Sequence, residues 1–207
     1  DGVIFRDVNF WMELHKAFGT LKQGKELTKK YLETDYETLV QKVVVDLWQG
    51  RDAKPYFDLV DSLEYLPGVK ETIQYVKNKG LITAIISASS IHVARRVQKD
   101  YGIDHLFANE LVINDNKVSG DFLWPIGAGK EKKAEILKDL CKDIGIPATE
   151  SIYIGDSDKD SEAFKLAGVS IAFNSSSEDL KRSATYVVPG EDLAKVIPCL
   201  KKHLEQT

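Results

Sequence analysis

Two cysteines, one methionine and six prolines in 207 residues leave several classes of protein without support. Cys141 and Cys199 make no metal-type spacing and fall in helical patterns, so they read as small buried hydrophobes and not as a disulfide or thiolate cluster. No apolar run approaches the roughly 18 residues that a membrane span needs, and no signal peptide opens the sequence. These absences lead to the expectation of a cytoplasmic protein with no membrane partner. Positive charge is also scarce: 28 Lys and Arg against 32 Asp and Glu give a net charge of −4, which argues against binding nucleic acid through a broad basic face. Internal repeats and low-complexity segments are missing as well.

What is present is ordinary for a globular chain, with 43% hydrophobic and 29% charged residues. The length suits one domain, or a domain carrying an insertion. From residue 9 to 65 the pattern is helical. "NFWMELHKAFG" spaces Phe10, Leu14 and Phe18 four apart before Gly19, and "YETLVQKVVVDLWQG" repeats this with Leu39, Val43 and Leu47 before Gly50. "KPYFDLVDSLEYL" gives another helix, ended by Pro67-Gly68.

Beyond Pro67 helices and strands alternate. "VKETIQYVKNKG" is an amphipathic helix, and "LITAIIS" is an apolar run suited to a strand covered on both faces. "IHVARRVQKDYG" is helical, "NELVINDNKVSGDFL" reads as a hairpin around "NDNK", and "KKAEILKDLCKDIG" carries a stripe of Leu137, Leu140, Cys141 and Ile144. "SIYIG", "VSIAF" and "TYVV" supply three short strands, with helices near 160–167 and 190–203. Such alternation implies an α/β fold with a doubly wound, Rossmann-like parallel sheet.

Ligands of such sheets bind beyond the carboxyl ends of the strands, and two polar clusters emerge there. Asp156, Asp158 and Asp160 follow "SIYIG". Carboxylates so close repel unless water or a cation relieves them; hard oxygen ligands at this turn suit Mg²⁺, and Asp is also a good helix N-cap. Metal is the expected role of Asp156, and capping that of Asp158. Ser87 ends the earlier strand and is followed by Ala88, Ser89 and Ser90, small residues that let backbone N–H groups approach an anion. Ser89 or Ser90 suits the N-cap of the helix near Ile91. Lys133 starts a helix facing the same rim, where it would neutralise a phosphate or a buried carboxylate.

This order, Ser after one strand, Lys on a later helix and then Gly-Asp-x-x-x-Asp, resembles the haloacid dehalogenase superfamily, and closely its phosphoserine phosphatase-like branch. "AIISASS" is similar to the second family motif, Lys133 in "KAEIL" to the third and "IGDSDKD" to the fourth. "DHLFANELVINDNKVSGDF" resembles the branch's β-ribbon, and "AGVSIAFN" its sequence after the fourth motif. The resemblance spans nearly the whole chain. It implies a catalytic core of residues 1–8 plus 66–207, with residues 9–65 inserted as an all-helical cap.

"DGVIF" matches only the second half of the first motif. Asp1 takes the place of its second aspartate, and the nucleophilic aspartate is expected two positions before Asp1, on a strand in the middle of the sheet. The expectation is that the molecule continues N-terminally; an alignment with Asp7 as nucleophile fails because it puts Arg6 before the acid and Asn9 at the second acid's place. The resemblance implies hydrolysis of a small phosphorylated metabolite through an aspartyl-phosphate. Asp1 would act as general acid and base and lend its carbonyl to Mg²⁺, Asp156 would bind Mg²⁺, Ser87 and the backbone near Ala88 would hold phosphate, Lys133 would offset charge, and Asp160 would orient Lys133. Lys159 stands where the branch commonly has Asn, and Ala88-Ser89 where it has Gly-Gly.

The arginine and glutamate that grip the amino acid in phosphoserine phosphatases have no match here, and Asp46 falls near the arginine's place. Arg6, Asp7 and Arg51 are candidates for another specificity or plain surface; His15 would line the pocket or serve as a structural residue. Phosphoserine, a phosphosugar and other small esters all remain open as substrates, as do monomer and homodimer, with Trp48 and Tyr56 expected as exposed aromatics able to join two copies. A non-catalytic phospho-ligand binder on the same fold is the alternative. A phosphate-receiver domain is disfavoured because receivers place their acidic pair before the Ser/Thr and Lys.

Overall fold

The computed structural model describes residues 2–6 and 9–204. Its first part is helical: α1 (Phe10–Ala17), α2 (Leu21–Tyr31), α3 (Tyr36–Gln41), a π-helical turn (Lys42–Trp48) and α4 (Lys54–Ser62). The side chain of Asn9 caps α1 by accepting from the Met12 amide at 3.2 Å, and Asp35 caps α3 by accepting from Thr38 at 3.0 Å. Helix α2 crosses α1 at Gly24, where an added Cβ would lie 2.5 Å from the His15 ring. The helix expected through residues 36–50 changes register midway. In its wider π turn Val43, Val44 and Trp48 all face inward, at 8%, 0% and 1% exposure, and the Val43 to Trp48 spacing is the i, i+5 register of a π-helix. An apolar run with no glycine or proline cannot reveal this from its pattern.

The remainder comprises α5 (Val69–Asn78), β1 (Ala84–Ser90), α6 (Ile91–Tyr101), β2 (His105–Asn114), β3 (Lys117–Leu123), α7 (Lys130–Asp143), β4 (Ile152–Gly155), α8 (Ser161–Leu166), β5 (Val169–Phe173), α9 (Glu178–Ser183), β6 (Tyr186–Val188) and α10 (Ile197–Leu204). Among the described residues the strands form two sheets, β1-β2-β3 and β4-β5-β6, and every pairing is parallel except β2 with β3. The fold is thus the expected α/β type. The β2–β3 ribbon turns at Asp115 and Asn116, both with positive φ (49° and 59°), as a two-residue hairpin of matching twist requires. Strand β1 starts later than "LITAIIS" suggests, because the Thr83 amide and hydroxyl bind the Asp104 carboxylate at 2.8 and 2.6 Å. It runs on through Ser90 and is only half-buried along most of its length. Helix α9, not anticipated, is capped by Ser177.

One apolar core joins the helical part to the sheets, from Phe10, Leu14 and Tyr56 to Val169, Ile171 and Phe173. Trp48 and Tyr56 belong to it at 1% and 0% exposure, so the expectation that they form an exposed dimerising patch is overturned. Covering a large side chain of this kind contributes about 2–3 kcal/mol, which favours the inward position. The Tyr56 hydroxyl also lies 2.5 Å from Ser90 Oγ and 2.8 Å from His92 Nδ1, tying α4 to α6. Both cysteines are free, Cys141 buried and Cys199 half-buried. No helix among the described residues is long and apolar enough to cross a membrane.

Candidate active site

The site begins with a break in a ladder. Strands β1 and β2 pair Ser87 with Ala108 and next Ser90 with Asn109, so Ala88 and Ser89 bulge out at the carboxyl end of β1. Ser87 Oγ accepts from the Ser89 amide at 3.1 Å, which occupies one acceptor direction and leaves the hydroxyl hydrogen to point elsewhere. Within the same turn the Ala88 carbonyl accepts from Trp11 Nε1 at 2.9 Å and from Asn109 Nδ2 at 3.0 Å.

Asn109 is fully buried and uses both ends of its amide. Besides the Ala88 carbonyl, its Nδ2 donates to the Gly127 carbonyl at 3.1 Å, while Oδ1 accepts from the amides of Ile126 and Gly127 at 3.1 and 3.2 Å. This one side chain therefore couples the Ser87–Ser89 turn to the loop that launches α7. The sequence reading missed it; the only signal was a lone amide inside the apolar stretch of β2.

Helix α7 starts after Gly129, whose φ of 119° is a glycine conformation, and carries Lys133 one turn inside. Lys133 Nζ lies 2.7 Å from Asp160 Oδ1, in a pair whose side chains are 11% and 3% exposed. Tyr153 from β4 donates to the same oxygen at 3.2 Å. The other oxygen of Asp160 accepts from the amides of Asp156 and Ser157, both at 3.2 Å, and from Ser157 Oγ at 3.3 Å. Gly155 is required beneath it, because a Cβ there would lie 2.6 Å from Asp160 Cγ. Burial and the adjoining Asp160 raise the Tyr153 phenol pKa well above its ordinary value, keeping it a neutral donor.

Asp156 follows β4, half-buried, on the wall of the adjoining cavity. Gly2, at φ +75°, is packed against its carboxylate: a Cβ on Gly2 would sit 2.1 Å from Oδ2. Asp158, expected as a cap, is instead the first residue of a 3-10 turn capped by Ser157 together with Asp160, and it accepts a hydrogen bond from Ser177 Oγ. Lys159 faces the same cavity; burial first, and then repulsion from Lys133, lower its pKa. Among the described residues no three His, Cys, Asp or Glu side chains gather as a metal cage. Magnesium does not demand one, since it takes one or two carboxylates and fills its octahedron with water and substrate oxygens, so Asp156 beside close-packed backbone fits that ion.

The cavity measures about 410 Å³ and lies between the strand ends and the helical part. Of the residues expected from sequence, Ser87, Ala88, Lys133 and Asp156 line it, and Asp160 stands behind Lys133. Asp1, Asp7 and the expected nucleophile lie outside the described residues. His15 proves to be both buried and part of the cavity wall, with Nδ1 2.7 Å from Thr20 Oγ1; burial pushes its pKa down to about 4, so the ring is neutral. The remaining candidates are elsewhere. Arg6 is an exposed residue 3.4 Å from Glu191, Arg51 donates to the carbonyls of Leu47 and Phe18, and Asp46 lines a separate groove with Gln23 and Lys42.

Comparison with known proteins agrees with this geometry. Residues 4–165 match the sequence profile of the haloacid dehalogenase-like hydrolases. The phosphoserine phosphatase of Methanocaldococcus jannaschii is 27% identical over 191 residues, which are 91% of this chain and 89% of the relative. That of Idiomarina loihiensis is 32% identical over 171 residues, 82% of this chain and 76% of the relative. Among solved structures, a phospho-aspartyl intermediate analogue of phosphoserine phosphatase superposes with a TM-score of 0.80 at 26% identity, covering 96% of this chain and 94% of the other. A substrate-bound phosphoserine phosphatase complex gives the same values.

Proposed function

This chain belongs to the haloacid dehalogenase-like hydrolases, in their phosphoserine phosphatase-like branch, and on that premise we propose that it is a magnesium-dependent phosphatase acting on a small phosphomonoester through an aspartyl-phosphate. The observation that carries the reading is the convergence of Ser87, Lys133 and Asp156 on one cavity, with Asp160 fixing Lys133 from behind. Residues 9–65 would act as a cap over a core of residues 1–8 and 66–207.

In the reaction a carboxylate attacks phosphorus, the alcohol departs, and water then releases phosphate. Ser87 would donate its hydroxyl hydrogen to a phosphoryl oxygen, and the bulged Ala88–Ser89 backbone would add amide donors. Lys133, aimed by Asp160, would offset the charge shared by nucleophile and phosphoryl oxygens; such prearranged charge supplies most of the catalysis in phosphoryl transfer. Asp1, as general acid and base, would protonate the departing oxygen and then deprotonate the attacking water. Mg²⁺, when bound, neutralises phosphoryl charge; Asp156 and Asp1 are the residues that would hold it.

The test is release of phosphate from p-nitrophenyl phosphate by the full chain, with and without Mg²⁺, beside an Asp156→Ala control. Mg²⁺-dependent turnover lost in the control is the expected result. Absence of turnover, with the protein folded, leaves a phospho-ligand binder on the same fold.

A further inference from the structure

Charge is distributed very unevenly around the cavity. Among the described lining residues the charged ones are Lys133, Asp156, Asp158 and Lys159, all at the strand-end rim. The far wall, contributed by the helical part, is made of Trp11, Met12, Tyr36, Val40, Val43 and Trp48. Trp124 from the end of the ribbon extends it, its ring centroid 4.9 Å from that of Trp11, and Tyr36 meets Trp124 edge-on at 5.7 Å. The titratable groups on this wall stay uncharged, since burial lowers the His15 pKa to about 4 and raises that of Tyr36. Asn9 and Thr28 contribute neutral polar groups.

Among the described residues this wall offers no charged partner to an alcohol's ammonium or carboxylate, and an ion desolvated there without a partner is disfavoured. A hydrocarbon or aromatic body set there gains instead, by about 2.5 kcal/mol for each 100 Å² of apolar surface covered. The volume of about 410 Å³ falls within the range of small-molecule sites and leaves room beyond a phosphate.

We infer that the alcohol released by this enzyme is uncharged and largely apolar, with an aromatic or branched hydrocarbon body lying against Trp11, Met12 and Tyr36. The inference rests on the phosphatase reading above and goes beyond it by assigning the substrate class, in which this chain departs from relatives named for phosphoserine.

The full chain is given benzyl phosphate, isobutyl phosphate and O-phospho-L-serine with Mg²⁺. All three are esters of primary alcohols, so differences in kcat/KM report recognition of the body more than leaving-group strength. Acetyl phosphate serves as a reference with almost no body. The expected result is a kcat/KM at least tenfold higher for benzyl and isobutyl phosphate than for phosphoserine. A Met12→Arg variant, shown folded by circular dichroism, is expected to lower that ratio tenfold or more, mainly through KM. Phosphoserine turnover equal to or above that of the apolar esters overturns the inference and leaves the phosphatase standing, as does turnover of acetyl phosphate alone. An unchanged ratio in folded Met12→Arg overturns the assignment of this wall. Release of phosphate from none of the four compounds overturns the inference alone if p-nitrophenyl phosphate is still hydrolysed, and both readings if it is not.

Discussion

Lys133 Nζ and Asp160 Oδ1 lie 2.7 Å apart in a nearly dry pocket, and the carboxylate that holds the lysine also takes three hydrogen bonds from the turn bearing Asp156. One acid therefore positions both the lysine and the Asp156 turn. Asp160→Ala strands a buried ammonium and frees that turn, and breaking such a pair costs about 3–5 kcal/mol. Lys133→Met leaves Asp160 its amide and Tyr153 donors and should cost less. Thermal unfolding is expected to rank the variants wild type, Lys133→Met, Asp160→Ala in falling Tm, with both variants losing roughly 10²-fold or more in kcat.

Asn109 couples two loops through four hydrogen bonds to backbone. Asn109→Leu keeps the shape and removes the side-chain partner of the Ile126 and Gly127 amides and the Gly127 carbonyl, each costing roughly 1–3 kcal/mol when buried, while the Ala88 carbonyl keeps Trp11. A total loss of at least about 3 kcal/mol is expected, a fall in Tm near 10 °C for a chain of this size. Asn109→Asp retains the acceptor toward Ile126 and Gly127 and should fall between. Because Asn109 bonds the turn after Ser87 and not Asp156, KM for phosphate esters should rise without a change in Mg²⁺ dependence.

His15 sets a pH dependence of stability. Its pKa in the folded chain is about 4, against an ordinary value of 6.5, because burial disfavours the cation. The unfolded chain therefore takes up the proton first as pH falls. Stability from this group is complete above pH 6.5, declines between 6.5 and 4, and falls no further below. Burial shifts His92 in the same direction, so the slope is shared, and a His15→Asn variant should show a shallower Tm-against-pH curve between pH 4 and 6.5 than wild type.

Gly2→Ala tests the contact between Gly2 and Asp156, the acid proposed to hold Mg²⁺. The new methyl would need the space of Asp156 Oδ2 at a backbone φ of +75° that alanine resists. The expected outcome is a rise of tenfold or more in the Mg²⁺ concentration giving half-maximal activity, with little change in far-ultraviolet circular dichroism. Unaltered Mg²⁺ dependence would place the metal away from this contact.

Much of the architecture could be read in advance where one physical pattern dominates. "VSIAF" is apolar throughout and becomes β5, buried at every position, and the stripe of Leu137, Leu140 and Cys141 is the buried side of α7. Ser87 and Asp156 were visible because polar residues at strand ends share one rim, and Lys133 because the helix that carries it starts on that rim. Other features depend on what lies opposite in space. Trp48 and Tyr56 looked available to a partner since periodicity shows a face and not its cover. Asn109 went unmarked because its four partners are backbone groups, which carry no side-chain signature. The displaced start of β1 depends on Asp104, twenty-one positions away from Thr83.

The π turn at Lys42–Trp48 holds one residue more per hydrogen-bonded ring than the α-helix around it. Such a stretch can shed a single residue by relaxing to ordinary helix while the chain on either side keeps its place. Val43, Val44 and Trp48 lie in the layer directly behind the cavity surface, so one codon gained or lost there would shift what backs that wall. Selection would thereby retune which molecules are accepted while Ser87, Lys133 and Asp156, on other elements, stay in place.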